Sequence, residues 1–375
     1  MPKLNDHGLG GGGKSIGVPV YPYVSSQALR EDLENGTIRE LWGDNTATAP
    51  VNVNIYEQAS CVIGDEMYFI GNNTSYAECY KYNVKTKSWT KLSDSPDANA
   101  KNWAEAIGTD IYYGAYNYIY KYDTLNDTHS SMGTFRRFKD SRSCTDGTYI
   151  YISGGNETTS MRSLMEKYDP TNNTITDLTD SPVPRYKHCM IYGGDGYIYI
   201  FGGTGSLVTA YKYSIAEDKH AALAEIPFNY QNGMIAKVYD YIYLINSSSS
   251  NSTLCRYDML DDTYRTLSAT PTYRYYGHAG VIDNVIYMIG GAGGNTSGDT
   301  MLVTKVTELS VAILNLPSGC RCYTDGDVID GEMTNFGGYN LLTGGSTLGK
   351  VNGVVSIPDD GDYIIVDGTY LTTGG

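Results

Sequence analysis

Basic residues, tryptophan, phenylalanine, histidine and long apolar runs are all scarce in this chain. Lys and Arg total 27 against 42 Asp and Glu, a formal net charge of −15. A surface with that surplus repels a phosphate backbone and an anionic bilayer alike, which argues against nucleic acid as a partner and against membrane association. No run reaches the roughly 18 apolar residues that a membrane-spanning helix needs, so no membrane insertion is expected. Residues 1 to 24 hold no apolar core of signal-peptide type, and the expectation is a protein made in a cytoplasm without export. Asn-x-Ser/Thr triplets such as Asn126 to Thr128 then read as turn chemistry rather than glycosylation.

The chemistry that needs clustered side chains is missing too. Seven cysteines, an odd number spread along the chain, read as buried thiols rather than a disulfide framework. Only Cys320 and Cys322 are close-set, and structural zinc wants four ligands, so no metal and no cofactor are expected. Of five histidines only His188 and His278 fall in loop positions, too few for a transition-metal site. No nucleophile elbow, HExxH or Ser-His-Asp pattern occurs, and no catalytic residue is nominated.

What the chain does have is tyrosine and glycine, 36 and 43 residues respectively, which suit strands with apolar bodies and wet tips. Strand-like runs recur at MYFIG (67 to 71), IYYG (111 to 114), IYISGG (150 to 155), IYIFGG (198 to 203), IYLIN (242 to 246) and IYMIGG (286 to 291). Their aligned tyrosines 68, 112, 151, 199, 243 and 287 lie 44, 39, 48, 44 and 44 residues apart, enough for about four short strands per unit. A second tyrosine follows at Tyr82, Tyr122, Tyr168, Tyr213 and Tyr257. Seven residues beyond each stands Trp89, His129, Ile175, His220 or Tyr264. These offsets predict third and fourth strands joined by Asp- and Asn-rich turns, with His129 and His220 as core fillers.

The diglycines 154/155, 202/203 and 290/291, the third-strand tyrosine and the fourth-strand aromatic make the chain resemble the kelch-repeat family over about residues 36 to 310. That resemblance implies an all-β fold, a six-bladed kelch-type β-propeller. Blades one, two and five lack the full diglycine, and only blade one carries tryptophan on its fourth strand. The sixth unit shows no fourth strand of its own, whereas NGTIREL (35 to 41) matches NNTITDL (172 to 178). Strand 37–41 is therefore expected to complete that blade and close the ring, which removes an open edge.

Three segments follow: a Gly-rich N-terminal arm with a short helix (1–34), the propeller (35–313), and a small acidic C-terminal β appendage (314–375). GLGGGGKS (8 to 15) matches a P-loop pattern, but no strand precedes it and no helix follows, so a docking arm is the better reading. The appendage reads either as a solvated cap or as an attachment module whose edges pair with a neighbour, a possible homo-oligomer contact.

Loops that lead from one blade into the next converge on one face of such a ring. Here they carry Tyr56, Trp103, Arg136, Phe138, Arg185, Tyr186, Lys187, Tyr230, Arg274, Tyr275, Tyr276 and His278, the candidate ligand-binding residues. Aromatic planes beside Arg and Asn donors suit sugar rings or an acidic peptide. In style the whole resembles bacteriophage tail and fibre-associated proteins. The expected function is a non-enzymatic virion structural and binding protein, presenting this face to a host-surface glycan or protein. Its partners would be other virion proteins, engaged through residues 1–34 and 314–375. The alternatives are a cytoplasmic kelch adaptor gripping an acidic peptide and a carbohydrate-active kelch enzyme.

Overall fold

The computed structural model describes residues 59–71, 77–97, 101–115, 117–134, 139–157, 160–205, 208–248, 251–267, 276–291 and 298–305, together with short strands nearer the two ends. The Gly-rich stretch 8–17 and the expected helix after residue 25 lie outside the described residues. Two compact units divide the chain: Asn45–Thr300, and a second made of Met1–Asp44 with Met301–Gly375.

In the first unit, five four-stranded antiparallel sheets follow one another along the chain, each ordered as its strands occur. The first is built from Ala59–Ile63, Glu66–Ile70, Cys79–Asn83 and Ser88–Leu92. A sixth sheet has the strand order His278–Ile282, Val285–Ile289, Gly298–Lys305, Ile38–Asn45. The six inner strands, Ala59–Ile63, Lys101–Ile107, Arg142–Thr145, Cys189–Tyr192, Met234–Val238 and His278–Ile282, contact one another in cyclic order, the last touching the first. The molecule is a six-bladed β-propeller, all β among the described residues.

The local reasons are those of a sheet covered on both faces. Second strands such as Tyr197–Phe201 are buried at almost every position because a blade packs on either side, whereas fourth strands such as Thr174–Leu178 are almost entirely exposed. Tyr199, Phe201, Leu244 and Tyr257 form one inter-blade core, and Met67, Phe69, Ile282 and Ile289 form the core between the last blade and the first. Cations on third strands lie across rings at the start of second strands: Lys167 is 4.7 Å from the centroid of Tyr149, just before Ile150–Ser153, and Arg256 is 4.5 Å from that of Tyr241.

Polar staples join the blades at their outer rim. The third-strand hydroxyls of Tyr122, Tyr168, Tyr213 and Tyr257 donate to Asp127, Asn173, Asp218 and Asp262, each five residues on, over 2.7, 2.9, 2.7 and 2.9 Å. These acceptors sit at φ of 51 to 53°, a left-handed conformation that Asp and Asn tolerate better than most residues. Their side chains then cross to the preceding blade. Asp127, Asp218 and Asp262 accept the backbone N–H of Ser93, Thr179 and Ala224. The residue seven beyond the tyrosine completes the grip, with His129 Nε2, His220 Nε2 and Tyr264 Oη donating to the carbonyls of those same three residues. His129 and His220 are thus hydrogen-bonding residues as well as fillers. In the third blade Ile175 cannot bond, and Asn173 Nδ2 donates instead to the Met132 carbonyl.

The second unit contains short antiparallel pairings: Val24–Ser25 with Asp362–Tyr363, Val311–Ile313 with Ile365–Asp367, and a sheet ordered Met333–Phe336, Tyr339–Thr343, Arg321–Thr324, Val355–Ser356.

The hydrogen bond from the Thr179 N–H, joined by that from Tyr213, holds the Asp218 carboxyl below its ordinary range. A depressed pKa adds stability above the unfolded value, and that stability disappears as pH falls through the folded one. Asp218→Ala is expected to cost about 2 kcal/mol by chemical denaturation at pH 7, with the cost shrinking below about pH 4. An equal cost at pH 3 and pH 7 would contradict the staple.

Candidate functional site

The inner strands leave a cavity of about 460 Å³ between them. Its wall mixes apolar side chains (Met190, Ile191, Met234, Ile235) with polar ones (Ser60, Glu105, Arg142, Ser143), a composition typical of small-molecule sites. Each inner strand faces its neighbours across the axis, so the side chains of separate blades meet here although they are tens of residues apart in sequence.

The rim repeats one backbone feature. Asp140, Lys187, Asn232 and Tyr276 each stand two residues before an inner strand and all are left-handed, at φ of 59, 57, 52 and 58°. They link hand to hand: the Lys187 N–H donates to the Asp140 carbonyl at 3.1 Å and the Asn232 N–H to the Lys187 carbonyl at 3.0 Å. Lys187 Nζ also donates to the Tyr276 hydroxyl at 3.0 Å and stands 5.3 Å from its ring centroid. All four line the cavity, with Lys139 beside them.

The sequence candidates divide sharply. Lys187 and Tyr276 are half-buried and line the cavity, whereas Tyr186, half-buried as well, lies outside the lining with its ring centroid 6.0 Å from Lys187 Nζ. Trp103 and His278 line the cavity wall but are only 3% and 8% exposed. Arg185 and Tyr230, expected to face ligand, are fully buried. Arg185 donates to the carbonyls of Val183 and Gly202 and to Thr209 Oγ1, and its guanidinium lies 5.2 Å from the Tyr211 ring centroid. The Tyr230 hydroxyl donates to the Met234 carbonyl at 2.6 Å. These two residues occupy the same position in consecutive blades, four before the inner strand. Their carbonyls accept the N–H of Gly155 and Gly203 from the preceding diglycines. A Cβ on Gly154 or Gly202 would come within 2.3 or 2.1 Å of those carbonyls, and both glycines have positive φ. The diglycine therefore exists to receive the next blade's loop, and Arg185 and Tyr230 plug the joint. Tyr56, Arg136, Phe138, Arg274 and Tyr275 lie outside the described residues.

Glu105 and Arg142 were not singled out, because in WAEAI and SRSC they read as ordinary alternating or loop positions. A Glu facing an axis shared by all blades is visible only once the repeats are superposed. Burial pushes the Glu105 carboxyl up to about 7, against the pull of the Ser143 hydroxyl, which donates to it at 2.6 Å. His278 shares a 2.8 Å hydrogen bond between Nδ1 and Ser60 Oγ, and burial, reinforced by Arg142, lowers it to about 4, so it is neutral at pH 7. His188 is fully buried, and neither ring nitrogen has a hydrogen-bond partner. Among the described residues, no group of three His, Cys, Asp or Glu is placed to hold a metal ion.

Comparison with known proteins bears on the architecture. The chain is similar in fold to a solved structure titled "Structure of YjhT", with a TM-score of 0.59 and 12% identity over 69% of this chain and 100% of that one. At that identity the likeness establishes the fold alone. No family model matches the sequence, and no curated protein matches it.

Because the folded pKa of Glu105 is raised, its contribution to stability is present below the unfolded value near 4.3 and lost as pH rises through about 7. Glu105→Gln is expected to gain on the order of 2 kcal/mol over wild type at pH 8 relative to pH 5, read from denaturant midpoints. Parallel pH profiles for the two proteins would contradict this. Arg185→Ala is expected to lower stability by roughly 3 kcal/mol, since it leaves the Gly202 carbonyl and Thr209 without their buried donor. Calorimetry checks this, and an unchanged melting temperature would contradict it.

Proposed function

We propose that the protein is a non-enzymatic recognition propeller, mounted in a virion as a bacteriophage fibre or tail-associated part, whose rim binds a host-surface glycan or protein. The observation that carries the reading is the rim itself. Four blades hold a non-glycine residue in the left-handed region at one equivalent position, and strain of this kind, on the order of 1 kcal/mol per residue, collects at ligand sites when the surrounding structure holds it in place. The aromatic planes of Tyr186 and Tyr276 stand beside the Lys187 ammonium, which suits ring stacking combined with directed hydrogen bonds. The six-bladed scaffold fits a binding role, and its diglycine joints support a ring of the kelch type.

Mounting is assigned to residues 1–34 and 314–375. The Gly-rich arm and the Gly- and Asp-rich β tail support it, as does the set of short strand pairings near the two ends, whose edges can extend onto a neighbour. A kelch adaptor gripping an acidic peptide is the second reading, favoured by Lys139 and Lys187 at the rim.

A glycan array run beside an acidic-peptide array tests the proposal. Glycan binding should weaken about tenfold or more in Tyr186→Ala and Tyr276→Ala, while both variants keep their melting behaviour. Retention only on acidic peptides would replace the glycan reading with the adaptor reading. Unchanged glycan binding in both variants would overturn the assignment of the rim.

A further inference from the structure

We infer that the axial cavity is a binding site for a small hydroxylated organic acid carrying a single carboxylate, held by Arg142 and Lys187. The inference deepens the recognition reading, since it assigns a ligand to the space inside the rim.

Charge selects the anion. Lys139, Arg142 and Lys187 line the cavity, and none forms an ion pair with a described residue; the carboxyls on the wall are Asp140 and Glu105. With Glu105 ionised, three cations against two acids leave one surplus positive charge, which complements a monoanion. Arg142 supplies the planar fork that matches a carboxylate. Among the described residues only its Nη1 is committed, to the neighbouring Ser141 carbonyl at 3.0 Å.

Unused polar atoms select the body of the ligand. Asn232 and His278 line the cavity while 7% and 8% exposed. Asn232 Oδ1 and His278 Nε2 have no hydrogen-bond partner, although buried polar atoms are nearly always bonded. Asn232 Oδ1 only accepts, so it calls for a donor such as a hydroxyl. Ser60 and Thr145 add further hydroxyls to the same wall, and Met190 and Met234 provide the carbon surface between them. A volume of about 460 Å³ lies toward the small end of ligand pockets.

Glu105 adds a pH signature. It meets Ser143 and Cys144 from the third blade and Cys61 from the first, and burial keeps both thiols protonated. His278 stays neutral, and Glu105 is the group on the wall whose charge changes near pH 7. Protonating it raises the surplus positive charge, so a monoanion should bind more tightly as pH falls from 8 to 6.

Titration calorimetry of the full chain with lactate, glycerate and gluconate tests the site, using their amides and the dicarboxylate malate as controls. At least one monocarboxylate should bind with a Kd in the millimolar range or tighter, with the matching amide and malate about tenfold weaker. Arg142→Gln and the less buried Lys187→Gln should each weaken binding about tenfold. Glu105→Gln should keep the pH 6 affinity at pH 8. Equal binding of acid and amide, or no monocarboxylate binding by the folded protein, would overturn the inference. Glycan binding that survives such a failure would leave the rim's recognition role standing.

Discussion

The hydrogen bond that a backbone N–H of one blade donates to an Asp side chain of the blade after it is the constraint on which the ring depends. A propeller blade is a small twisted sheet, and its two faces are buried only if its neighbours stay in place. Apolar packing supplies the attraction but no fixed angle between sheets. Asp127, Asp218 and Asp262 supply the angle, because each is locked to its own blade by a tyrosine hydroxyl and to the preceding blade by an amide. The His or Tyr two residues beyond it holds the carbonyl of the same residue, so that residue's backbone is gripped at both its N–H and its C=O. A hydrogen bond to a charged acceptor is stronger than a neutral one, and repetition around the ring compounds it.

A second joint near the axis does the same for the loops. Gly155 and Gly203 donate to the carbonyls of Arg185 and Tyr230, and the buried side chains of those residues fill the space beneath. Loops anchored in this way can hold Asp140, Lys187, Asn232 and Tyr276 in a backbone conformation that a free loop would abandon. Outer staples set the blades, inner joints set the loops, and the loops set the rim around the cavity. Function on this account is carried by residues whose positions were determined two steps away.

Much of the architecture was legible because the repeat is written in residue types with one structural role. The tyrosines at 68, 112, 151, 199, 243 and 287 place the second strands correctly, and the following tyrosines place the third. The Asp or Asn five residues on was visible as well, but sequence alone shows a turn former and cannot show that its carboxylate crosses to another blade. At the site the legible part was smaller. Lys187 and Tyr276, which line the cavity, stood out because aromatic and basic residues in loops announce themselves. Arg185 announces itself equally and is buried, since burial depends on which neighbour's diglycine it meets. Glu105 and Arg142 stayed hidden for the opposite reason: their meaning comes from blades that close around an axis, a relation no local pattern encodes.

Amide hydrogen exchange at Ser93, Thr179 and Ala224 tests the central claim most directly. All three amides lie beyond the ends of their blades' fourth strands, where exchange should be fast unless a neighbouring carboxylate holds them. The account predicts protection comparable to that of the strand ladders, lost at Thr179 alone in Asp218→Ala and at Ala224 alone in Asp262→Ala. Exchange at the rate of exposed loop amides in the wild-type protein would contradict it.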